Sequence, residues 1–411
     1  MSVDCVAAHL TATRITELTG PRDGELAGHY RAWHADLTRR LGERFTRLKP
    51  VELFVACTAN AKSELLVTDG TRTIVHDEYL GRTLNRMTRF VIHDWPPNLV
   101  QSWAFERVAT AAWARGDAAA TRLGLGFAAH LGQAAEKPAL NPALDAVRQL
   151  LVTLQEFFVL AHEVAHSALG EASHESLERH LGDELDAIFR QGVAVQEDLT
   201  EAVAEAMAND VAQAVARHLG MDAPPDEGLE QLKEFGRDGD GFDEGAWLRD
   251  HPYLYEEVAC DLIATELTLE YFHEENSAID VQTVLSAVLM ALHHLTSLEY
   301  LESLVGARGD KAWATLRATM VRKSVWQQMT RAMYDAQCPS RLAEVYAQIT
   351  QDHAKKVGDQ VLFVVPVEWE QAQALLAKDG RHQDVTRAKT KALRGLIWSL
   401  ARPAEPSTTS G

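Results

Sequence analysis

The segment His162-Glu163-Val164-Ala165-His166 contains the residue types and the spacing of a metal site that performs hydrolysis. Residues four positions apart lie on one face of a helix, one turn from each other, so both imidazoles can bind a single Zn²⁺ ion. Glu163 follows the first histidine and can reach a water molecule on that metal, where a carboxylate acts as a general base. The pattern therefore predicts metal-assisted hydrolysis.

The flanking sequence predicts that this motif lies near the C-terminal end of a long apolar helix, at about 143–169. The segment 144–161 contains neither glycine nor proline. Asn141 and Pro142 are typical of the N-cap and of the first helical position, and Gly170 favours a stop. The alternative is two polar histidines near the end of an amphipathic helix. Titratable groups in so apolar a segment need partners, however, and a metal ion is a suitable one.

A catalytic zinc site uses three protein ligands and a water molecule, so the motif needs a third ligand. In the longer motif HExxHxxGxxH, a glycine and a third histidine would stand where this chain has Leu169 and Ala172, which excludes that arrangement. His174 and His180 follow nearby but miss the register. They are either metal ligands on a loop or solvated surface residues, and the sequence leaves both interpretations open.

The strongest candidate for the third ligand is Glu257. The segment 253–267 has the pattern of a second helix, in which Glu257 and Asp261 are four apart and share a face. Asp261 can then accept the second ring N–H of a zinc-bound histidine, which fixes the tautomer of that ligand. Glu256 is the competitor for the ligand position. The alternative is an acidic helix start that is favoured by the helix dipole.

Peptide hydrolysis also needs a donor that stabilises the developing oxyanion. The candidates are His293 or His294, on the apolar segment 284–295, and Tyr253 or Tyr255, just before the proposed ligand. The alternative for the histidine pair is that one is a core residue whose hydrogen bonds are made within the protein and the other is a surface residue.

An HExxH motif followed by a helix with ExxxD resembles the gluzincin metallopeptidases. The residues that carry the resemblance are His162, Glu163, His166, Glu257 and Asp261. The nearest families in pattern are the CAAX-prenyl-protease type with its soluble variants, the ImmA/IrrE-type regulatory peptidases and the Lit-type phage-exclusion peptidases. The resemblance implies a zincin-like helical core, a bound Zn²⁺ ion and a protein or peptide substrate.

Two further features bear on this resemblance. In such families a β-hairpin commonly precedes the zinc helix, and its edge strand helps to hold the peptide. Segments 51–58 and 63–75 are β-rich, with a turn at Asp69-Gly70, as expected for such a hairpin. The prenyl-protease type often has a downstream His-Pro segment, whereas the closest stretch here begins with Cys338. The identity of the residue on the oxyanion side therefore stays open.

Composition restricts the class of protein. The chain has 411 residues, of which 46% are hydrophobic, and a net charge of −19, which argues against a general nucleic-acid binder. The N-terminus lacks the pattern of a secretory signal, and no uninterrupted apolar run reaches the length of a membrane span. Four scattered cysteines without a CxxC motif favour reduced thiols and a cytoplasmic location, namely Cys5, Cys57, Cys260 and Cys338.

The sequence predicts a mostly α (α+β) fold in which a small β-hairpin or sheet lies upstream of the zinc helix. We expect an N-terminal helical region at 1–140, with its β-rich part near 50–76, and a zinc-binding core at 141–305. A C-terminal helical region follows at 306–402, and a disordered tail at 403–411.

Four segments within these regions have their own interpretation. Residues 183–219 read as an inserted helical section, and 235–245 as a flexible acidic loop before the third-ligand helix. The apolar run 361–366 is strand-like. Residues 386–402 are basic and amphipathic, so they form either a terminal helix docked on an acidic body or a contact with a partner or membrane surface.

The function expected from these patterns is a soluble zinc endopeptidase that cuts a selective protein partner, with Glu163 as general base. One alternative is a non-catalytic zinc-fold protein with a binding or regulatory role, for example in stress or phage-defence control. Another is a metal-free helical scaffold.

Overall fold

The computed structural model describes most of the chain outside one long internal segment and the two ends. Several sequence-based predictions lie outside the described residues: His174, His180, the segments 183–219 and 235–245, the basic segment 386–402 and the tail. The described residues are 25–44, 50–56, 62–68, 70–93, 95–133, 141–169, 252–274, 279–305, 309–338 and 341–379.

The described part of the chain contains ten α-helices and one small sheet, which confirms the predicted mostly helical α+β fold with a sheet upstream of the helix that carries the His-Glu-His motif. A π-helical turn follows α6, a 3₁₀ turn follows α8, and a longer π-helix joins α9 to α10. In chain order the elements are α1 (Glu25–Arg44), β1 (Val51–Ala56), β2 (Ser63–Thr68), β3 (Thr71–Asp77), α2 (Glu78–Ile92), α3 (Pro97–Ala114), α4 (Ala118–Gln133), α5 (Pro142–Leu169), α6 (Pro252–Leu269), α7 (Val281–Ser303), α8 (Gly309–Tyr334), α9 (Leu342–His353) and α10 (Val365–Asp379).

The sheet has the strand order β1-β3-β2, with β1 parallel and β2 antiparallel to β3. The hairpin of β2 and β3 turns at Gly70, whose φ of +79° is a left-handed conformation that favours glycine. Ile74 of the central strand is completely buried, and it is paired with Leu65 on one side and Leu53 on the other. The predicted hairpin is therefore confirmed, and β2 is an edge strand of the sheet.

Helix α5 lies at the centre of the molecule and carries the His-Glu-His motif near its C-terminal end. The side chain of Asn141 accepts a hydrogen bond from the backbone N–H of Ala143 at 3.0 Å, so the predicted cap is present. Phe157, Phe158 and Leu160 are completely buried in the hydrophobic core. Burial of each such side chain contributes about 1.5–3 kcal/mol, which holds this helix firmly in place.

Three further helices surround the motif. Helix α6 packs along α5, and α7 packs against both α5 and α8. Helix α7 starts at Asp280, whose carboxylate accepts a hydrogen bond from the backbone N–H of Thr283. Trp326 of α8 donates its indole N–H to the hydroxyl of Thr265 on α6, at 2.9 Å. These contacts fix α6 and α8 side by side next to the motif.

One hydrophobic core contains residues from all three predicted helical regions. Leu37 of α1, Leu154 of α5 and Trp369 of α10 all belong to it, and each is at most 2% exposed. Helix α5 therefore belongs to the same core as segments from both ends of the described chain.

The predicted strand at 361–366 is wrong, because this run is helical. It falls at the end of the π-helix Ala354–Val364 and the start of α10. Val357, Val361 and Val365 are all completely buried, and their spacing of four is that of one helical face. A short apolar run alone does not distinguish a strand from a buried helix, whereas this wider spacing does.

Helix α7 is the one described helix that is long and apolar enough to cross a membrane by length and composition. Within its most apolar window, 78% of the helix is buried inside the protein, as in the core helix of a globular domain. This helix is accordingly weak evidence for a membrane span.

Candidate functional site

A cavity of about 610 Å³ lies beside the His-Glu-His motif. Its wall combines the edge strand β2 with residues of α5, α6, α7 and α8. His162, Glu163 and His166 line it together with Glu257. The cavity therefore brings two chain segments that are far apart in the sequence to one place.

Within this cavity, the structure gathers the three residues predicted as metal ligands. Nε2 of His162 and Nε2 of His166 are 3.1 Å apart. The carboxylate of Glu257 lies 3.4 Å from the first of these nitrogens and 3.3 Å from the second. Because the three side chains converge in this way, the cluster has the donor set and spacing to hold a metal ion.

The other ring nitrogen of each histidine faces a carboxylate of α6. Nδ1 of His162 lies 2.9 Å from Oδ1 of the completely buried Asp261. The two groups form an ion-pair contact but not a hydrogen bond, because the N–H bond does not point at the oxygen. Nδ1 of His166 is hydrogen-bonded to Glu256 at 3.0 Å. Asp261 therefore lies where the sequence predicted it, and Glu256, the expected competitor for the ligand position, contacts the second histidine instead.

Arg322 of α8 is a site residue that the sequence patterns did not reveal. Its guanidinium donates two hydrogen bonds to Asp261, at 2.5 and 2.7 Å, and contacts Oε2 of Glu257 at 2.7 Å. A buried carboxylate next to a half-buried one needs a compensating cation, so the sequence did imply that one exists. The sequence did not indicate which of the many arginines would supply this positive charge, because Arg322 lies on a separate helix.

The charges of this network hold one another in their ionised forms. Burial favours the neutral form of Glu257 and Asp261, but Arg322 and the nearby histidines keep both carboxyl pKa values below their usual range. Burial also disfavours a charged His162, yet contacts with Asp261 and Glu257 raise its pKa. Burial likewise disfavours a charged His166, and contacts with Cys260, Glu256 and Glu257 raise its pKa.

Glu163 differs from the other acids because it lines the cavity without direct compensation by Arg322. Burial raises its pKa to about 7, while the positive charges of His162 and His166 oppose this shift. A carboxyl group with a pKa near the working pH is suited to general acid–base chemistry.

Cys260 packs behind the histidine cluster and stands outside the ligand set. Its thiol is free and completely buried, in contact with Ala165 and Leu169 of α5. Burial raises the pKa of this thiol to about 12, while its contact with His166 opposes the shift.

The structure does not bring His293 or His294 to the cavity. His293 interacts with Thr350 and with Lys323, each at 3.1 Å, and its ring stacks on His353 with a centroid distance of 4.7 Å. Both nitrogens of His294 are buried without a hydrogen-bond partner, and burial lowers the pKa of this ring to about 3. Both residues belong to the packed interior of α7, so we correct their expected position beside the reacting carbonyl.

The two tyrosines at the start of α6 differ in environment. Tyr255 is 4% exposed, packs in the core and is not among the residues that line the cavity, so its predicted position is also corrected. Tyr253 is 59% exposed. Its pKa is raised by partial burial and then by the carboxylates of Glu257 and Glu299, which places it in the electrostatic field of the site.

No protein-family model, curated protein or solved structure matches this chain. Function is therefore inferred from the geometry and the chemistry of the site itself.

Proposed function

We propose that this protein is a zinc-dependent endopeptidase that hydrolyses a peptide bond of a selective protein partner. The observation that carries the proposal is the convergence of two imidazole nitrogens and one carboxylate. Zinc bonds of about 2.0–2.1 Å in a tetrahedral arrangement separate neighbouring ligand atoms by about 3.3 Å. Nε2 of His162 and Nε2 of His166 are 3.1 Å apart, Oε2 of Glu257 lies 3.4 Å from the first of them, and Oε1 of Glu257 lies 3.3 Å from the second.

The residues of the site divide the work between holding the metal and moving a proton. His162, His166 and Glu257 hold the zinc ion, with Asp261 and Arg322 orienting two of these ligands. Zinc, when bound, lowers the pKa of a coordinated water molecule and polarises the scissile carbonyl. Glu163 lies in the same cavity, accepts the proton of the attacking water and delivers it to the leaving amine.

The edge strand offers a place for an extended peptide. Strand β2 lines the cavity through Glu64, Leu65 and Val67, and one edge of this strand is unpaired within the sheet. An extended peptide adds to such an edge through main-chain hydrogen bonds, which are independent of side-chain identity. A peptide bound along this edge would enter the same cavity that Glu163 lines.

The decisive experiment replaces Glu163 with glutamine. The Glu163→Gln protein should retain stoichiometric zinc, because this side chain is not a ligand, and should lose hydrolysis, because an amide does not accept the proton. New protein N-termini in cells that express wild type or variant measure the activity, and zinc is measured by elemental analysis. Glu344→Gln, an exposed change on α9, is the matched control. Unchanged cleavage by Glu163→Gln would exclude the mechanism.

A second candidate is a non-catalytic zinc-binding protein with a regulatory role. The contact between Arg322 and Glu257 favours it, because a guanidinium at 2.7 Å withdraws electron density from the third ligand and weakens its bond to a metal. In that case zinc would be bound, but no partner protein would be cleaved. A metal-free scaffold would instead be purified without stoichiometric zinc.

The setting of the activity is part of the proposal. The acidic composition and the scattered cysteines favour a cytoplasmic protein that acts on protein rather than nucleic acid. The basic segment 386–402 is a further region through which a partner would make contact.

A further inference from the structure

We infer that the site takes peptides with a lysine or arginine side chain close to the cleaved bond, and that Glu299 of α7 determines this specificity. The inference rests on the proposed function. It names the substrate class of the same cavity, and it starts from the distribution of charge along the cavity wall.

Acidic side chains outnumber basic ones in this wall. Apart from the two proposed histidine ligands, the basic residues are one lysine and two arginines, and all three are engaged by groups of the protein. Lys62 contacts Glu302 at 2.6 Å, Arg322 contacts two carboxylates, and Arg72 donates to the carbonyl oxygen of Ser167. The six acidic residues are Glu64, Glu163, Glu256, Glu257, Glu299 and Glu302.

Glu299 and Glu163 are the two acids of this set that make no hydrogen bond or ion pair with any residue that the structure describes, and Glu163 already has the proposed proton-transfer role. Glu299 lies on the cavity-facing side of α7 with Leu295, Leu298 and Glu302. Its side chain has substantial accessible surface, yet the surrounding protein raises its pKa, with burial as the largest cause. Both facts are explained if the carboxylate is open to the cavity and shielded from bulk solvent.

Tyr253, at the start of α6, lies in the electrostatic field of Glu299. Its aromatic ring is 59% exposed, and the negative charges of Glu257 and Glu299 both raise the pKa of its hydroxyl group. Tyr253 is outside the set of residues that line the cavity, so the carboxylate of Glu299 is the group that would contact an ammonium or guanidinium, through a charge-assisted hydrogen bond. Arg322 acts on Glu299 electrostatically, but its hydrogen bonds and closest contact go to Asp261 and Glu257.

The test measures binding to the zinc-loaded full chain that carries Glu163→Gln, so that cleavage does not interfere. The probes are three fluorescent peptides that differ only by arginine, glutamine or glutamate at one position, which is scanned along the peptide. At the best position arginine should bind about tenfold more tightly than glutamine, as expected for one partly screened charge pair. Glu299→Gln should abolish this preference, and Glu299→Lys should reverse it in favour of glutamate.

Glu344→Gln, added to the same background, is the control for net charge and should leave the preference unchanged. Equal affinity for the three peptides at every position, or an arginine preference that survives Glu299→Gln, would overturn the inference. So would a failure to bind any of the peptides. Since Glu299 has no partner in the described structure, its replacement should not change the melting temperature.

Cleavage by the wild-type protein separates this inference from the proposed function. Cleavage without a preference for basic residues would retain the peptidase and reject the role of Glu299. A preference in binding that depends on Glu299, without cleavage of any peptide, would retain the cation site and reject the peptidase.

Discussion

In the proposed function, Arg322 and a bound zinc ion would compensate the same two carboxylates, and this overlap leads to a quantitative prediction. The side chain of Arg322 is 12% exposed and contacts both the completely buried Asp261 and the 22% exposed Glu257. Arg322→Gln removes the positive charge and leaves these two carboxylates next to each other. Breaking a buried ion pair by removing one partner costs about 3–5 kcal/mol, so the metal-free variant should lose about that much free energy of unfolding.

Bound zinc should reduce this loss. The metal places two positive charges beside Glu257 and, through His162, near Asp261. The zinc-loaded variant should therefore lose clearly less free energy of unfolding than the metal-free variant does. The assay is urea unfolding of wild type and Arg322→Gln, each with zinc and with a chelator. The four free energies of unfolding give the coupling energy between Arg322 and zinc.

Arg39→Gln is the matched control, because Arg39 also contacts two acids but lies on the exposed face of α1. It should show no coupling to zinc. If Arg322→Gln costs the same free energy with zinc as with chelator, the metal does not act on this carboxylate network. If it costs no more than Arg39→Gln, the buried network does not contribute as its geometry implies.

Two other residues of the interior give further predictions. Burial raises the pKa of Glu156 from 4.5 to about 7, although a hydrogen bond from Tyr30 at 2.8 Å opposes the shift. Since the folded state then binds the proton more tightly, stability should fall by at most about 3 kcal/mol as the pH rises from about 4.5 to above 7. In urea unfolding at several pH values, Glu156→Gln should make the free energy of unfolding less dependent on pH. An unchanged pH dependence would mean that another group causes it. Asp261→Asn should weaken zinc binding about 10–100-fold by removing the anion beside His162, as measured by competition with a chromogenic chelator. Asp280→Asn, at the exposed start of α7, should leave the zinc affinity unchanged, and an equal loss in both variants would indicate a general charge effect.

Local spacing made the first part of the site predictable from the sequence. His162 and His166 are one helical turn apart, so any helix at this position brings their rings together. The same rule pairs Glu257 with Asp261 on α6, and the apolar residues before the motif require a buried helix. These predictions used contacts within one turn, which sequence periodicity encodes directly.

The remaining site residues depend on how separate helices pack. Arg322 reaches Asp261 from α8, and Glu299 faces the cavity from α7. Neither contact can be predicted from the spacing of residues in the sequence. His293 and His294 show the converse error, because their polar type suggested chemistry while the packing of α7 buries them away from the cavity.

The central position of α5 separates the reaction from the choice of substrate. Two of the three proposed metal ligands and the proposed general base lie on the helix that anchors the hydrophobic core, so few substitutions there would leave a folded protein. Val67 and Glu299 line the same cavity but are exposed, so their side chains can change with little effect on the interior. Under the proposed function, a lineage that carries this fold would therefore acquire new targets by substitutions at such positions of β2 and α7, while the hydrolytic step is inherited unchanged.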